Sequence, residues 1–257
     1  MKVAIWQTLP HDGLDAACRG LDRAARTARG ADVLLAPEMV LGGYAIDLET
    51  IRSNAAQAET LIAEMARIAI RHDIAIVCGL ALPGEPLPRN AAIAVDRTGR
   101  ELARYVKTHL YGPTDGGRFT AGNALSPVFD LAGWRVALAI CYDIEFPELA
   151  RSLALRGADA ILAPTANMRP FDSVATRLVP ARAEENAVYV AYANYVGTEG
   201  GVEYGGLSCI CGPDGEDLAR GGGETAGILE ATLSRKDLDR IRIGLHHRAD
   251  RRSDLYT

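Results

Sequence analysis

The sequence predicts an α/β fold, helices covering a sheet-rich core, with residues 1–257 forming a single domain. Apolar periodicity switches repeatedly between the two-residue spacing of strands and the 3.6-residue spacing of helices. No low-complexity linker or fixed short repeat divides the chain. The composition, 48% hydrophobic and 24% charged, is that of an ordinary globular protein. A chain of this length can bury roughly 70–75% of its unfolded surface.

Val3–Trp6 reads as a strand, and Leu14, Ala17, Leu21, Ala24 and Ala28 follow at helical spacing. Val33–Ala36 is a second strand and ends at Pro37-Glu38. Ala58, Leu61, Met65 and Ile68 mark one face of a helix, which precedes the strand Ala75–Leu82. Asn90 to Val106 reads as two strands joined by a turn at Asp96–Gly99. Trp134, Val136, Leu138 and Ile140 alternate along a strand that runs into Cys141. A helix carrying Leu149 and Leu153 stops at Gly157, a usual terminator, before the strand Ala160–Ala163. A helix around Arg177–Asn186, strands near Val188–Asn194 and Leu207–Cys211, a turn at Pro213–Gly215 and a strand Gly227–Leu233 complete the pattern. Gly221–Gly223 lacks the Lys-Ser/Thr of a phosphate loop, so a hairpin or surface loop is expected there.

A net charge of −5 and a pI near 5.6 argue against nucleic acid or an anionic membrane as the main partner. The basic cluster Arg248, Arg251 and Arg252 is interleaved with Asp250 and Asp254 and reads as a solvated or interface tail. The apolar start, Val3 to Trp6, is too short for the roughly 7–15-residue core of an export signal. No run reaches the roughly 18 apolar residues of a membrane span. The expected location is the cytosol. Five cysteines without dense spacing do not suggest a disulfide framework. Cys209 and Cys211 share one face of a strand, but with no histidine nearby in sequence they read, like Cys18 and Cys78, as small buried residues.

Cys141 differs. It sits where a strand gives way to a helix opened by Pro147, which suits a first helical turn. A nucleophile on such a turn is exposed to substrate, and the next backbone N–H points to where an oxyanion forms. Glu38 follows the carboxyl end of a buried strand, the edge at which α/β sheets place their sites. Lys107 closes the strand Leu102–Val106 and shares a face with Ala103 and Tyr105. The three fit one mechanism. A thiol of ordinary pKa near ~8.5 is only a few per cent thiolate at neutral pH. A carboxylate can take its proton, and an ammonium can stabilise both thiolate and oxyanion.

Pro37-Glu38, Lys107-Thr-His-Leu110 and Ile140-Cys141-Tyr142-Asp143-Ile-Glu-Phe-Pro-Glu148 resemble the three motifs of the nitrilase superfamily. Phe119-Thr-Ala-Gly122, Arg182-Ala-Glu-Glu-Asn186, Gly206-Leu-Ser208 leading to Pro213-Asp-Gly215, and the tail Arg251–Tyr256 extend the likeness across nearly the whole chain, in the family's order. The resemblance implies a four-layer α-β-β-α sandwich and assembly through paired subunits, as a homodimer or larger even homo-oligomer. It assigns Glu38 as general base, Lys107 as oxyanion stabiliser and Cys141 as nucleophile, with the Tyr142 backbone N–H adding to the oxyanion hole. It implies a thioester intermediate and no metal or organic cofactor.

The sequence departs from the family at one point. Many members carry a second glutamate seven residues before the glycine matching Gly122, and here that position is Asp115. Its shorter carboxylate is expected to hold Lys107 or orient substrate, against the reading of a surface-loop aspartate. His109 reads as support for the Lys107 strand. Adjacent His246-His247 cannot share the geometry of a helical zinc motif. Tyr44, Thr165 and Asn167 follow strand ends, from which side chains can line a pocket. The motif around Cys141 is most similar to the bacterial aliphatic or amino-acid amidase branch, with a small amide as substrate. Nitriles, N-carbamoyl amines and acyl transfer suit the same triad, and a catalytically silent binding protein is the alternative of another class. A thiol protease would need a histidine partner for Cys141.

Overall fold

The computed structural model describes residues 1–255; Tyr256, which closes the tail motif, lies outside the described residues. The first half runs β1 (Lys2–Gln7), α1 (Gly13–Thr27), β2 (Val33–Leu35), α2 (Leu48–Ala56), α3 (Ala58–His72), β3 (Ala75–Leu82), β4 (Arg89–Val95), β5 (Glu101–Val106) and the short α4 (Gly112–Gly116). The second half runs β6 (Phe129–Leu131), β7 (Trp134–Leu138), α5 (Pro147–Leu155), β8 (Ala160–Pro164), α6 (Val179–Asn186) and β9 (Tyr189–Ala193). There follow β10 (Val196–Glu199), β11 (Val202–Gly205), β12 (Cys209–Cys211), β13 (Asp217–Arg220), β14 (Gly227–Thr232) and α7 (Arg235–Gly244).

Two six-stranded sheets result, ordered β14-β1-β2-β3-β4-β5 and β13-β12-β9-β8-β7-β6. Both follow one plan: three parallel central strands flanked by antiparallel ones. The Gly221–Gly223 segment joins β13 to β14 and so carries the chain from one sheet to the other.

Strand alternation sorts side chains into layers. Val3, Ile5, Val33, Leu35, Ala75 and Val77 of the first sheet meet Val136, Leu138, Ala160, Leu162 and Ala191 of the second in a core between the sheets. The intervening residues Ala4, Leu34, Ile76 and Cys78 face outward, against Leu21 of α1 and Met65 and Ile68 of α3. On the other side Ala137, Ile161, Val190 and Tyr192 pack against Leu149 and Leu153 of α5 and Ala183 of α6. This is the expected four-layer α-β-β-α sandwich. It explains why β3 is apolar along its whole length: both of its faces are covered.

The topology also places the site. β5 pairs antiparallel with β4, and β4 with β3, so β5 runs in the same direction as β3. The carboxyl ends of β2, β5, β7 and β8 therefore present Glu38, Lys107, Cys141 and the Thr165–Asn167 segment at one edge.

Candidate active site

Cys141 is the first residue of a 3₁₀ turn, Cys141–Glu145, that links β7 to α5. Its φ of +46° is uncommon for a non-glycine residue and marks a sharp strand-to-helix corner. Tyr142, next in the turn, has no partner for its N–H within the turn, because the first donors of any helix lack one.

Glu38 and Lys107 are fully buried, as is Asp115. Lys107 Nζ donates to Glu38 Oε1 at 2.8 Å and to Asp115 Oδ2 at 2.7 Å. Asn90 Nδ2 donates to the same Glu38 Oε1 at 2.6 Å. Glu38 Oε2 is buried with no hydrogen-bond partner among the described residues and is left as a free acceptor. The Glu38 backbone is held by its own N–H to the Thr165 carbonyl at 3.3 Å and by the Tyr195 hydroxyl to its carbonyl at 2.8 Å. Gly79 of β3 permits this approach: a Cβ there would lie 2.2 Å from the Met39 nitrogen and 2.7 Å from Glu38 Cα.

The buried charges set the protonation states. Burial raises the Glu38 carboxyl above its ordinary range, and Asp115 adds repulsion, against the pull of Lys107 and Asn90. Burial alone would lower Lys107, but Glu38, Cys141 and Asp115 outweigh it and raise the ammonium well above its usual value. Burial and the negative charge of Glu38 raise the Cys141 thiol, while Lys107 and the Ala166 N–H pull it down. Burial would likewise raise Asp115, but Lys107, the Tyr111 N–H and the Tyr44 hydroxyl hold it below the ordinary carboxylate range. The resting site thus pairs a neutral thiol with an ammonium held between carboxylates.

Asp115 is not a surface-loop residue. Besides Lys107 it accepts the Tyr44 hydroxyl at 2.7 Å and the Tyr111 N–H at 3.0 Å, and Arg118 lies 3.7 Å away. Because its charge both holds Lys107 and raises Glu38, Asp115→Asn should slow turnover roughly ten- to hundredfold, the scale of one charge-assisted hydrogen bond (~1.5–3 kcal/mol). The acid limb of the kcat/KM profile should also move to lower pH, since one source of repulsion on Glu38 is gone. An unchanged rate with an unchanged acid limb would contradict this role.

Cys141 opens onto a cleft of about 240 Å³. Tyr44, Tyr111, Tyr142 and Phe171 form its aromatic wall, and Glu145 and the Ala166–Met168 segment complete the lining. Of the pocket residues expected from sequence, Tyr44, Tyr142 and Asn167 line the cleft. Thr165 corrects that expectation: it is fully buried, its hydroxyl donates to the Ala163 carbonyl at 3.1 Å, and it supports the Glu38 backbone instead. Asn167 is anchored through its side chain to the Phe171 carbonyl at 3.0 Å and through its N–H to Asn194 Oδ1 at 2.9 Å.

Several positioning residues carried no role in the sequence reading. Asp143, fully buried, accepts the Tyr105 hydroxyl (2.8 Å), the Thr108 hydroxyl (3.0 Å), the His109 N–H (3.0 Å) and the Ile140 N–H (3.0 Å). His109 Nδ1 lies 2.8 Å from the same carboxylate, and the His109 ring stacks on Phe146 at 4.0 Å. Asp143 thereby ties the segment carrying Lys107 to the turn carrying Cys141, and His109 has the supporting place expected of it. Arg182 binds the far end of that turn, donating to the Ile144 carbonyl at 3.1 Å and the Glu145 carbonyl at 2.7 Å. Gly122 donates to the Lys107 carbonyl at 2.8 Å. These contacts give the Arg182 and Gly122 motifs a physical purpose. Elsewhere, Cys209 and Cys211 are buried as expected, with the Cys211 thiol 3.4 Å from Asp217 Oδ1.

The site is that of a cysteine-containing hydrolase on an α-β-β-α sandwich, and comparison with known proteins gives its family. The carbon–nitrogen hydrolase profile matches residues 3–243, and the chain belongs to that family, within the nitrilase superfamily. It is 43% identical to "Hydrolase in pqqF 5'region" of Pseudomonas protegens, covering 100% of this chain and 90% of the relative. It is 31% identical to an (R)-stereoselective amidase of a Pseudomonas species, over 94% of this chain and 90% of the relative. The amidase from Nesterenkonia sp. AN1, solved with its cysteine changed to alanine, superimposes with a TM-score of 0.89 at 35% identity, over 100% of this chain and 95% of that one. In fold and family the chain is an amidase-type carbon–nitrogen hydrolase.

Proposed function

We propose that the protein hydrolyses a small amide to a carboxylic acid and ammonia through a thioester on Cys141, with Glu38, Lys107 and Cys141 as the catalytic triad. The observation that carries this is the unpartnered buried Glu38 Oε2 in a site whose Lys107 is already fixed by Glu38 Oε1 and Asp115. As the Cys141 sulfur attacks the amide carbonyl, its proton passes to Glu38. Lys107 and the Tyr142 N–H stabilise the tetrahedral oxyanion. Glu38 then protonates the departing nitrogen, the C–N bond breaks, ammonia leaves and the thioester remains. Water attacks the thioester as Glu38 takes one of its protons. Collapse expels the sulfur, which recovers that proton, and releases the acid.

An amide without a carboxylate is favoured over the carboxylate-bearing amide named for one relative, the 2-oxoglutaramate amidase of Bacillus subtilis. The described residues lining the cleft include no Lys, Arg or His to receive a substrate carboxylate. Ammonia release from a panel of small amides, nitriles and N-carbamoyl amines checks the reading. Amides should be turned over by the wild type and not by Cys141→Ala. A panel led by nitriles, or activity surviving in Cys141→Ala, would contradict it.

Among the described residues no helix is long and apolar enough to cross a membrane. The proposal places the enzyme in the cytosol as a homodimer or larger even assembly, C₂ pairing being the commonest closed symmetry. A purely monomeric species in sedimentation at micromolar concentration would remove the assembly part.

A further inference from the structure

We propose that Glu145 is a cation-recognising subsite beside Cys141, and that the acyl group of the preferred amide carries an ammonium substituent. This rests on the amidase reading above and names its substrate class.

Glu145 closes the 3₁₀ turn that Cys141 opens, and both line the same cleft. Among the described residues of that lining Glu145 is the sole charged side chain, and its carboxylate has no hydrogen bond or ion pair to any described residue. The other acidic groups of the site are committed: Glu38 to Lys107 and Asn90, and Asp115 to Lys107, Tyr44 and Tyr111. Arg182 reaches the Glu145 residue through its backbone carbonyl and forms its ion pair with Glu185. Glu145 is therefore the one carboxyl group of that lining, and no cation among the described residues pairs with it by contact.

The neighbouring surface supports the same ligand. Tyr111, Tyr142 and Phe171 stand edge to face, with Tyr111 5.3 Å from Tyr142 and 6.1 Å from Phe171. All three rings line the cleft together with Glu145. A carboxylate in an aromatic-lined cleft is the chemistry that holds an ammonium, and it repels a carboxylate. Glu145 is half-buried, so the ion pair would be partly shielded from water. The cleft, at about 240 Å³, has room for only a small acyl group beside the carbonyl.

The test measures ammonia release from near-isosteric amides: 2-aminopropanamide, 2-hydroxypropanamide and 2-methylpropanamide. The wild type should prefer the amino compound over both neutral ones by roughly tenfold or more in kcat/KM, the scale of a partly desolvated ion pair. Glu145→Gln keeps shape and a hydrogen-bond acceptor while removing the charge. It should lower kcat/KM for the amino compound, mainly through KM, by roughly tenfold more than for the two neutral amides, so that the preference for the amino compound is lost. Neutral amides turned over as well as the amino one by the wild type would overturn the subsite alone. So would equal losses on all three substrates in Glu145→Gln. No ammonia from any amide would overturn the amidase reading and the subsite with it.

Discussion

Glu38→Gln is expected to lower kcat/KM by roughly 10³–10⁴-fold while leaving the chain folded. General acid–base assistance is worth about 10²–10⁴-fold, and Glu38 serves both half-reactions. Glutamine is nearly isosteric and can still accept from Lys107 and Asn90 through its oxygen, so packing survives while the proton acceptor is lost. Alkylation separates the base from the nucleophile. The negative charge of Glu38 is among the causes that raise the Cys141 thiol, so its removal should leave iodoacetamide labelling intact or faster. In the wild type, the base is lost as pH falls through the Glu38 pKa. Because burial raises that pKa, the acid limb of kcat/KM should lie above the ordinary glutamate range near ~4.3. Wild-type turnover by Glu38→Gln would remove the base assignment.

Lys107→Met should be damaging to both activity and stability. Methionine matches much of the lysine stem, but it leaves Glu38 and Asp115 facing each other without their shared cation, both fully buried. Breaking a buried ion pair by removing one partner costs about 3–5 kcal/mol, and loss of an oxyanion donor costs ~3–4 kcal/mol of barrier lowering. Urea denaturation and kcat/KM on one amide read the two effects. The double variant Lys107→Met/Asp115→Asn should recover part of the stability, because one stranded charge is gone, and none of the activity. A single variant with a wild-type urea midpoint and rate would show that Lys107 carries neither role.

The layers and the reacting groups were legible in sequence for different reasons. Strands such as Val33–Leu35 and Ala75–Leu82 are buried on both faces, so their apolar runs stand out. Cys141, Glu38 and Lys107 stood out because nucleophile, base and cation each follow a strand end within recognisable motifs. Asp115 followed from counting back from Gly122, although its partners Tyr44 and Tyr111 did not.

Elements with little buried surface were missed. α7 buries one residue, Leu238, and its remaining charge hid it, although Ser234 caps it through a bond from the Asp237 N–H at 3.2 Å. α2 has only Ile51, Asn54 and Ala55 buried. Its signal was Asp47, whose side chain accepts the Thr50 N–H at 2.9 Å. The β10–β11 hairpin turns at Gly200-Gly201, a pair that suits such turns. The positioning residues were invisible for another reason. Asp143, Arg182 and Asn194 act by bonding backbone groups far away in sequence, and spacing alone does not reveal such partners. Thr165 misled because a residue after a strand can turn inward as readily as toward the cleft.

The central claim is a covalent acyl group on Cys141. It is tested most directly by intact-protein mass spectrometry of the enzyme quenched during turnover of a slowly hydrolysed amide, followed by peptide mapping. The predicted result is a mass increase equal to the acyl group, located on Cys141 and absent from Cys18, Cys78, Cys209 and Cys211 and from the Cys141→Ala variant. An acyl group found on any other residue, or amide turnover by Cys141→Ala, would contradict it.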